Sequence, residues 1–110
     1  MDMSTAEIDI TSMRQAAQAA SDHLRGLAHP DRLLLLCQLS QGEACVGELE
    51  ELLDLHQPNL SQQLGVLRRQ GLVNTRRAGR HVYYRIADAN TLHLLQTLYS
   101  IFCDNKGAGT

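Results

Sequence analysis

A chain of 110 residues has room for one domain with a limited core, so a second copy of itself is an expected source of further buried surface. An apolar content of 44% fits a folded domain, the longest apolar run (Leu33 to Cys37) is far too short to cross a bilayer, and no basic-then-apolar leader opens the chain, which predicts a cytoplasmic protein without membrane association. Three cysteines, an odd number without tight spacing, argue against a secreted disulfide scaffold and leave any cross-link as a regulated one.

The net charge of −2 conceals a segregation. Residues 1–55 hold ten acids and three arginines, whereas residues 56–86 hold six arginines and no acid. A mildly acidic chain with one wholly basic segment carries the electrostatic footprint of a polyanion binder.

Residues 1–12 show weak periodicity and are expected to be loose. Ser12 and Gln15 have capping-box spacing, and Met13, Ala17, Ala20, Leu24 and Leu27 recur at helical spacing, predicting a first helix that ends near Gly26. His29-Pro30 opens a second helix, since proline suits the first helical position and Asp31 complements the dipole. Its leucines run nearly all round, which makes it central, and it stops near Gln41-Gly42. Cys45 occupies the cap position of a third helix over Val46, Leu49 and Leu53. After the turn His56-Gln57-Pro58, a fourth helix runs to about Gln70 with Leu60, Leu64 and Leu67 inward. From Val73 the period falls to two. Val73 to Arg77 and Val82 to Ile86 flank the turn signal Ala78-Gly79, predicting a hairpin. Asp88 caps a last helix with Leu92, Leu95, Tyr99 and Phe102 on one stripe and Leu98 beside it. The tail from Asp104 is polar and expected to be loose.

The order is helix, helix, helix, helix, hairpin, helix. It predicts one mainly α domain over residues 1–110 with a small β-hairpin, a winged helix-turn-helix. A helix fits the major groove of duplex DNA. The outward face of the fourth helix offers Gln57, Asn59, Ser61, Gln62 and Gln63, whose amides and hydroxyls can meet base edges or phosphates. Arg68 follows along the helix, and Arg76, Arg77, Arg80 and His81 crowd the hairpin, within reach of phosphates or a minor groove. The expected partner is double-stranded DNA. A thiol enzyme is disfavoured, because C-x-x-C, a Gly-rich phosphate loop and a nucleophile–base arrangement are all missing. A winged helix used only for protein contacts would bind DNA weakly and without regard to sequence.

From Ala28 to Arg85 the chain resembles the ArsR/SmtB family of bacterial repressors. The resemblance rests on A-H-P-D-R-L (Ala28 to Leu33), V-G-E-L (Val46 to Leu49), Q-P-N-L-S-Q-Q-L-G-V-L-R (Gln57 to Arg68), G-L-V (Gly71 to Val73) and Y-Y-R-I (Tyr83 to Ile86). It implies a homodimer joined through the first and last helices, a palindromic operator, and release when an inducer is sensed.

The inducer is the open point. The family's arsenic-type C-V-C site is matched here by Cys45-Val46-Gly47, without the second thiolate, and its zinc-type site on the last helix is matched only by Asp88 and His93. No metal or other cofactor is expected. Cys37 lies one turn beyond Leu33 on the second helix, and Cys103 one turn beyond Tyr99 on the last. With Y-S-I-F-C (Tyr99 to Cys103), this pair resembles the sulfide- and redox-responsive BigR/SqrR-like branch of the family. That likeness implies that Cys37 and Cys103 are sensing thiols, cross-linked within one subunit by reactive sulfur species or oxidants, with loss of DNA binding. The alternative is a metal- or arsenite-responsive repressor in which cysteine thiolates form a soft site. Cys45 departs from the branch pattern.

Overall fold

Asp9 is where the first helix begins in the computed structural model, which describes residues 9–104. Its carboxylate accepts from Thr11 N at 3.2 Å and from Ser12 Oγ at 3.2 Å, so α1 spans Ile10–Leu27. Ser12, expected as the cap, therefore lies in the first turn, and residues 10–12, expected to be loose, are helical. A carboxylate beside the positive end of the helix outcompetes a hydroxyl three residues later. Residues 1–8 and 105–110, both expected to be loose, lie outside the described residues.

The remaining elements are α2 (Pro30–Leu39), β1 (Ala44–Cys45), α3 (Val46–Leu53), α4 (Asn59–Arg69), β2 (Val73–Ala78), β3 (His81–Ile86) and α5 (Ala89–Tyr99), closed by a π-helical turn at Ser100–Asp104. His29 caps α2 through Nδ1, which accepts from Asp31 N at 3.1 Å. This helix is the hub: it packs on α1, α3, α4, α5 and β3, burying Leu35, Leu36 and Leu39. Leu34 alone of its leucines turns outward, 42% exposed. Around it gather Leu49 of α3, Leu60, Leu64 and Leu67 of α4, Leu72, Val73 and Leu95, a core composed almost wholly of leucine.

The expected hairpin is the larger part of a three-stranded antiparallel sheet in the order β1-β3-β2. Gly79, at φ +64°, turns β2 into β3 with Ala78 opposite His81. The added strand pairs Ala44 with Tyr84 and Cys45 with Tyr83. Two residues are too few to show a period, which is why β1 leaves no mark in the sequence. Cys45 then starts α3 as expected, with its N–H donated to Glu48 Oε1 at 2.9 Å.

Asp88 caps the last helix as expected. Leu95 is buried and Leu92 half-buried, but Tyr99 is 44% and Phe102 75% exposed. Past Leu98 the apolar side chains stay uncovered, and Ser100–Asp104 form a π-helical turn rather than a continuation of α5.

Candidate DNA interface and thiol cleft

Asp54 ends α3 in the left-handed region at φ 55°, and its carboxylate lies 2.9 Å from His56 Nε2. Gln57 then turns its Oε1 back to accept from Ser61 N at 3.1 Å, so this side chain closes the first turn of α4. Ser61 and Gln62 are exposed on that turn, and Arg68 is exposed at the far end of the helix beside Arg69.

Asn59 and Gln63 are placed otherwise. Both are half-buried against α2. Asn59 Nδ2 donates to Asp31 Oδ2 at 2.7 Å, Gln63 Nε2 donates to Asn59 Oδ1 at 3.0 Å, and Arg32 Nη1 donates to Gln63 Oε1 at 3.0 Å. Their side-chain amides face the protein, while those of Gln57 and Gln62 lie at the surface.

On the wing, Arg77, Arg80 and His81 are exposed around Gly79, the furthest point of the hairpin. Arg76 is engaged. Its Nε donates to both Glu43 carboxylate oxygens, at 2.9 and 3.0 Å, and its guanidinium lies 4.8 Å from the centre of the Tyr83 ring. The Arg76 hydrogen bonds hold the Glu43 carboxyl below its ordinary value. Glu43 does not stand out in the sequence, and Tyr83 does so only within the Y-Y-R-I stretch. The pairing spans 33 positions and has no local signal.

The remaining feature is a cleft of about 600 Å³ between α2, α3 and the end of α5. Cys37 and Cys103 both line it, with Leu33, Leu34, Leu53, Tyr99 and Phe102. Burial pushes the half-buried Cys37 thiol up, and the charge of a neighbouring Cys103 thiolate pushes it further in the same direction. Cys103 is exposed. Cys45 is half-buried on β1 and does not line the cleft. Among the described residues, no three His, Cys, Asp or Glu side chains converge as a metal site. Asp88 is spent as the cap of α5, accepting from Thr91 N at 2.9 Å, and His93 is exposed.

Comparison with known proteins bears on the family and the fold. Residues 29–75 match the family profile described as "Bacterial regulatory protein, arsR family". The chain is 50% identical over 97 residues to the biofilm growth-associated repressor of Agrobacterium fabrum, covering 88% of this chain and 83% of that one. It is 36% identical over 98 residues to the transcriptional activator HlyU of Vibrio cholerae, covering 89% and 91%. The crystal structure of the transcriptional repressor BigR from Xylella fastidiosa superposes with a TM-score of 0.82 at 44% identity, over 88% of this chain and 96% of that one.

Proposed function

The chain belongs to the arsR family of bacterial regulatory proteins and is a DNA-binding transcriptional repressor with a winged helix-turn-helix fold, and we propose that it acts as a homodimer whose operator complex is released by chemistry at Cys37 and Cys103. The observation that carries the proposal is the shared cleft: two thiols 66 positions apart in sequence line one largely apolar cavity.

The accessible Cys103 attacks first and the recessed Cys37 resolves. With a persulfide RSSH, the Cys103 thiolate takes the outer sulfur, and RS⁻ leaves and is protonated to RSH. Cys37 then attacks the Cys103 sulfur and expels hydrosulfide. Two protein thiols and RSSH thus become one disulfide, RSH and hydrogen sulfide. With a hydroperoxide, Cys103 becomes a sulfenic acid and an alcohol leaves. Attack by Cys37 then expels water. Both routes give the same disulfide, which staples α2 to the end of α5.

Dimerisation is supported by the apolar side chains that α1 and the end of α5 leave uncovered: Ile10, Met13 and Leu24 on the first, and Tyr99, Ile101 and Phe102 on the second. A homodimer through these helices presents two recognition helices to half-sites about 34 Å apart. A staple that moves α5 against α2 changes that separation. The expected DNA-facing residues are Gln57 just before α4, Ser61 and Gln62 on its first turn, and Arg77, Arg80 and His81 on the wing, with Arg68 along the helix.

Intact mass spectrometry, paired with operator binding on the same samples, tests this. After treatment of the reduced protein with a persulfide donor, the expected result is a Cys37–Cys103 cross-link together with loss of DNA affinity. Cys37→Ser and Cys103→Ser each keep DNA binding and lose the response, and Cys45→Ser keeps both. Normal release from the operator in both single variants overturns the thiol mechanism.

A further inference from the structure

The inward face of α4 is made of Leu60, Leu64 and Leu67, all nearly inaccessible to solvent. Burial of these leucines sets which face of α4 is inward, but contact between leucines is non-directional and leaves small rotations and slides of the helix inexpensive. Direction comes from a ring of hydrogen bonds beside this face. Asp31 and Arg32 are neighbours in the first turn of α2, and Asn59 and Gln63 are one turn apart on α4. Asp31 Oδ2 accepts from Asn59 at 2.7 Å, Asn59 Oδ1 accepts from Gln63 at 3.0 Å, and Gln63 Oε1 accepts from Arg32 at 3.0 Å. The same guanidinium continues to α1: Arg32 Nε donates to Gly26 O at 2.7 Å and Nη2 to Arg25 O at 3.4 Å. All four side chains are half-buried, which strengthens these bonds and makes an unpaired member costly.

We propose that Asp31 and Arg32 are positioning residues for DNA recognition, clasping α4 through Asn59 and Gln63 and tying it to the C-terminal end of α1. The proposal rests on the reading that α4 enters operator DNA and that α1 joins the dimer. In each protomer one guanidinium then sets the position of the recognition helix relative to the dimer helix. Two such settings fix the separation of the recognition helices in the dimer. The clasp itself contacts no base and no phosphate. Asn59 and Gln63 contribute to sequence preference through the orientation they give to Gln62 and Ser61.

The test uses the full-length protein and a duplex that the wild-type protein selects from a random library, with a scrambled duplex as control. Arg32→Gln and Gln63→Met are each expected to lower affinity for the selected duplex about tenfold. Affinity for the scrambled duplex and the slope of log K against log salt stay unchanged, since no phosphate contact is removed. The double variant loses no more than either single one. A second pair of variants does not depend on Arg32: Asn59→Asp sets two carboxylates face to face and loses preference, and adding Asp31→Asn restores a donor–acceptor pair and recovers it. Unchanged preference in Arg32→Gln, losses that add in the double variant, a fallen salt slope, or failure of Asp31→Asn to rescue each overturns the clasp. A wild-type protein that selects no duplex overturns the DNA reading itself.

Discussion

The guanidinium of Arg76 and the carboxylate of Glu43 meet across 33 positions of sequence, with Arg76 Nε 2.9 Å from one Glu43 oxygen and 3.0 Å from the other. The pair ties β2 to the segment that leads into β1, and Tyr83 of the intervening strand supports the guanidinium from beneath. Arg76 is thereby held at the body of the sheet, while Arg77 and Arg80 remain open to solvent.

Releasing that arginine changes DNA binding in a defined direction. Glu43→Gln is expected to tighten binding to any duplex and to steepen the slope of log K against log salt by up to about 0.9, the value for one added phosphate contact. Arg80→Ala moves the slope by a similar amount the other way. Fluorescence anisotropy titrations at several salt concentrations read both. An unchanged slope in Glu43→Gln shows that Arg76 stays off the phosphates even when freed.

Acid destabilises the fold through three carboxylates. Hydrogen bonds from Arg25 lower Asp22, those from Arg76 lower Glu43, and those from Thr91 lower Asp88. A carboxylate whose folded value lies below its unfolded value contributes stability that is complete above the unfolded value and lost as the pH falls through the folded one. The urea midpoint is therefore expected to be flat near neutrality and to fall below the ordinary carboxylate range. All three groups are exposed, so each effect is small. Glu43→Gln is expected to flatten the acid limb of a midpoint-against-pH plot.

Gly26 is a site of close approach. A Cβ there would lie 2.0 Å from Gln70 Oε1 and 2.9 Å from Leu72 Cδ1. Gln70 is an exposed side chain that can swing away, but Leu72 belongs to the core. Gly26→Ala is expected to cost about 1–3 kcal/mol by overpacking. A urea titration with an unchanged slope and a lowered midpoint is the expected observation, and an unchanged midpoint contradicts it.

Phe102, 75% exposed beyond α5, is the most exposed of the large apolar side chains among the described residues. Phe102→Asp is expected to shift the protein from dimer to monomer in sedimentation, because a charge cannot be buried unpaired in an apolar interface. Operator affinity falls with it. Wild-type protein that sediments as a monomer contradicts the proposed dimer directly.

Most of the element order is legible in the chain, because local patterns carry it. His29-Pro30, the Leu60-Leu64-Leu67 spacing, the change from a period of 3.6 to one of two at Val73, and the Asp88 cap each act within a few residues, and each appears where the pattern places it. The first cap lies at Asp9 rather than Ser12, because the Asp9 carboxylate accepts from Thr11 N and from the Ser12 hydroxyl itself, which places Ser12 inside the first turn.

What the chain alone determined is therefore its fold, its basic recognition unit and the three thiols available for chemistry. Tertiary structure decided what those side chains are free to do. Asn59 and Gln63 read in sequence like Gln62, yet α2 packs close enough to engage them and leaves Gln62 exposed. Arg76 reads like Arg77, yet the sheet brings Glu43 beside the first and not the second. Cys37 and Cys103 are linked in sequence only by resemblance, and packing is what brings them to one cleft. Hydrophobic periodicity is a property of neighbours along the chain, whereas a directional hydrogen bond or a thiol pair depends on which distant segment packing places opposite it.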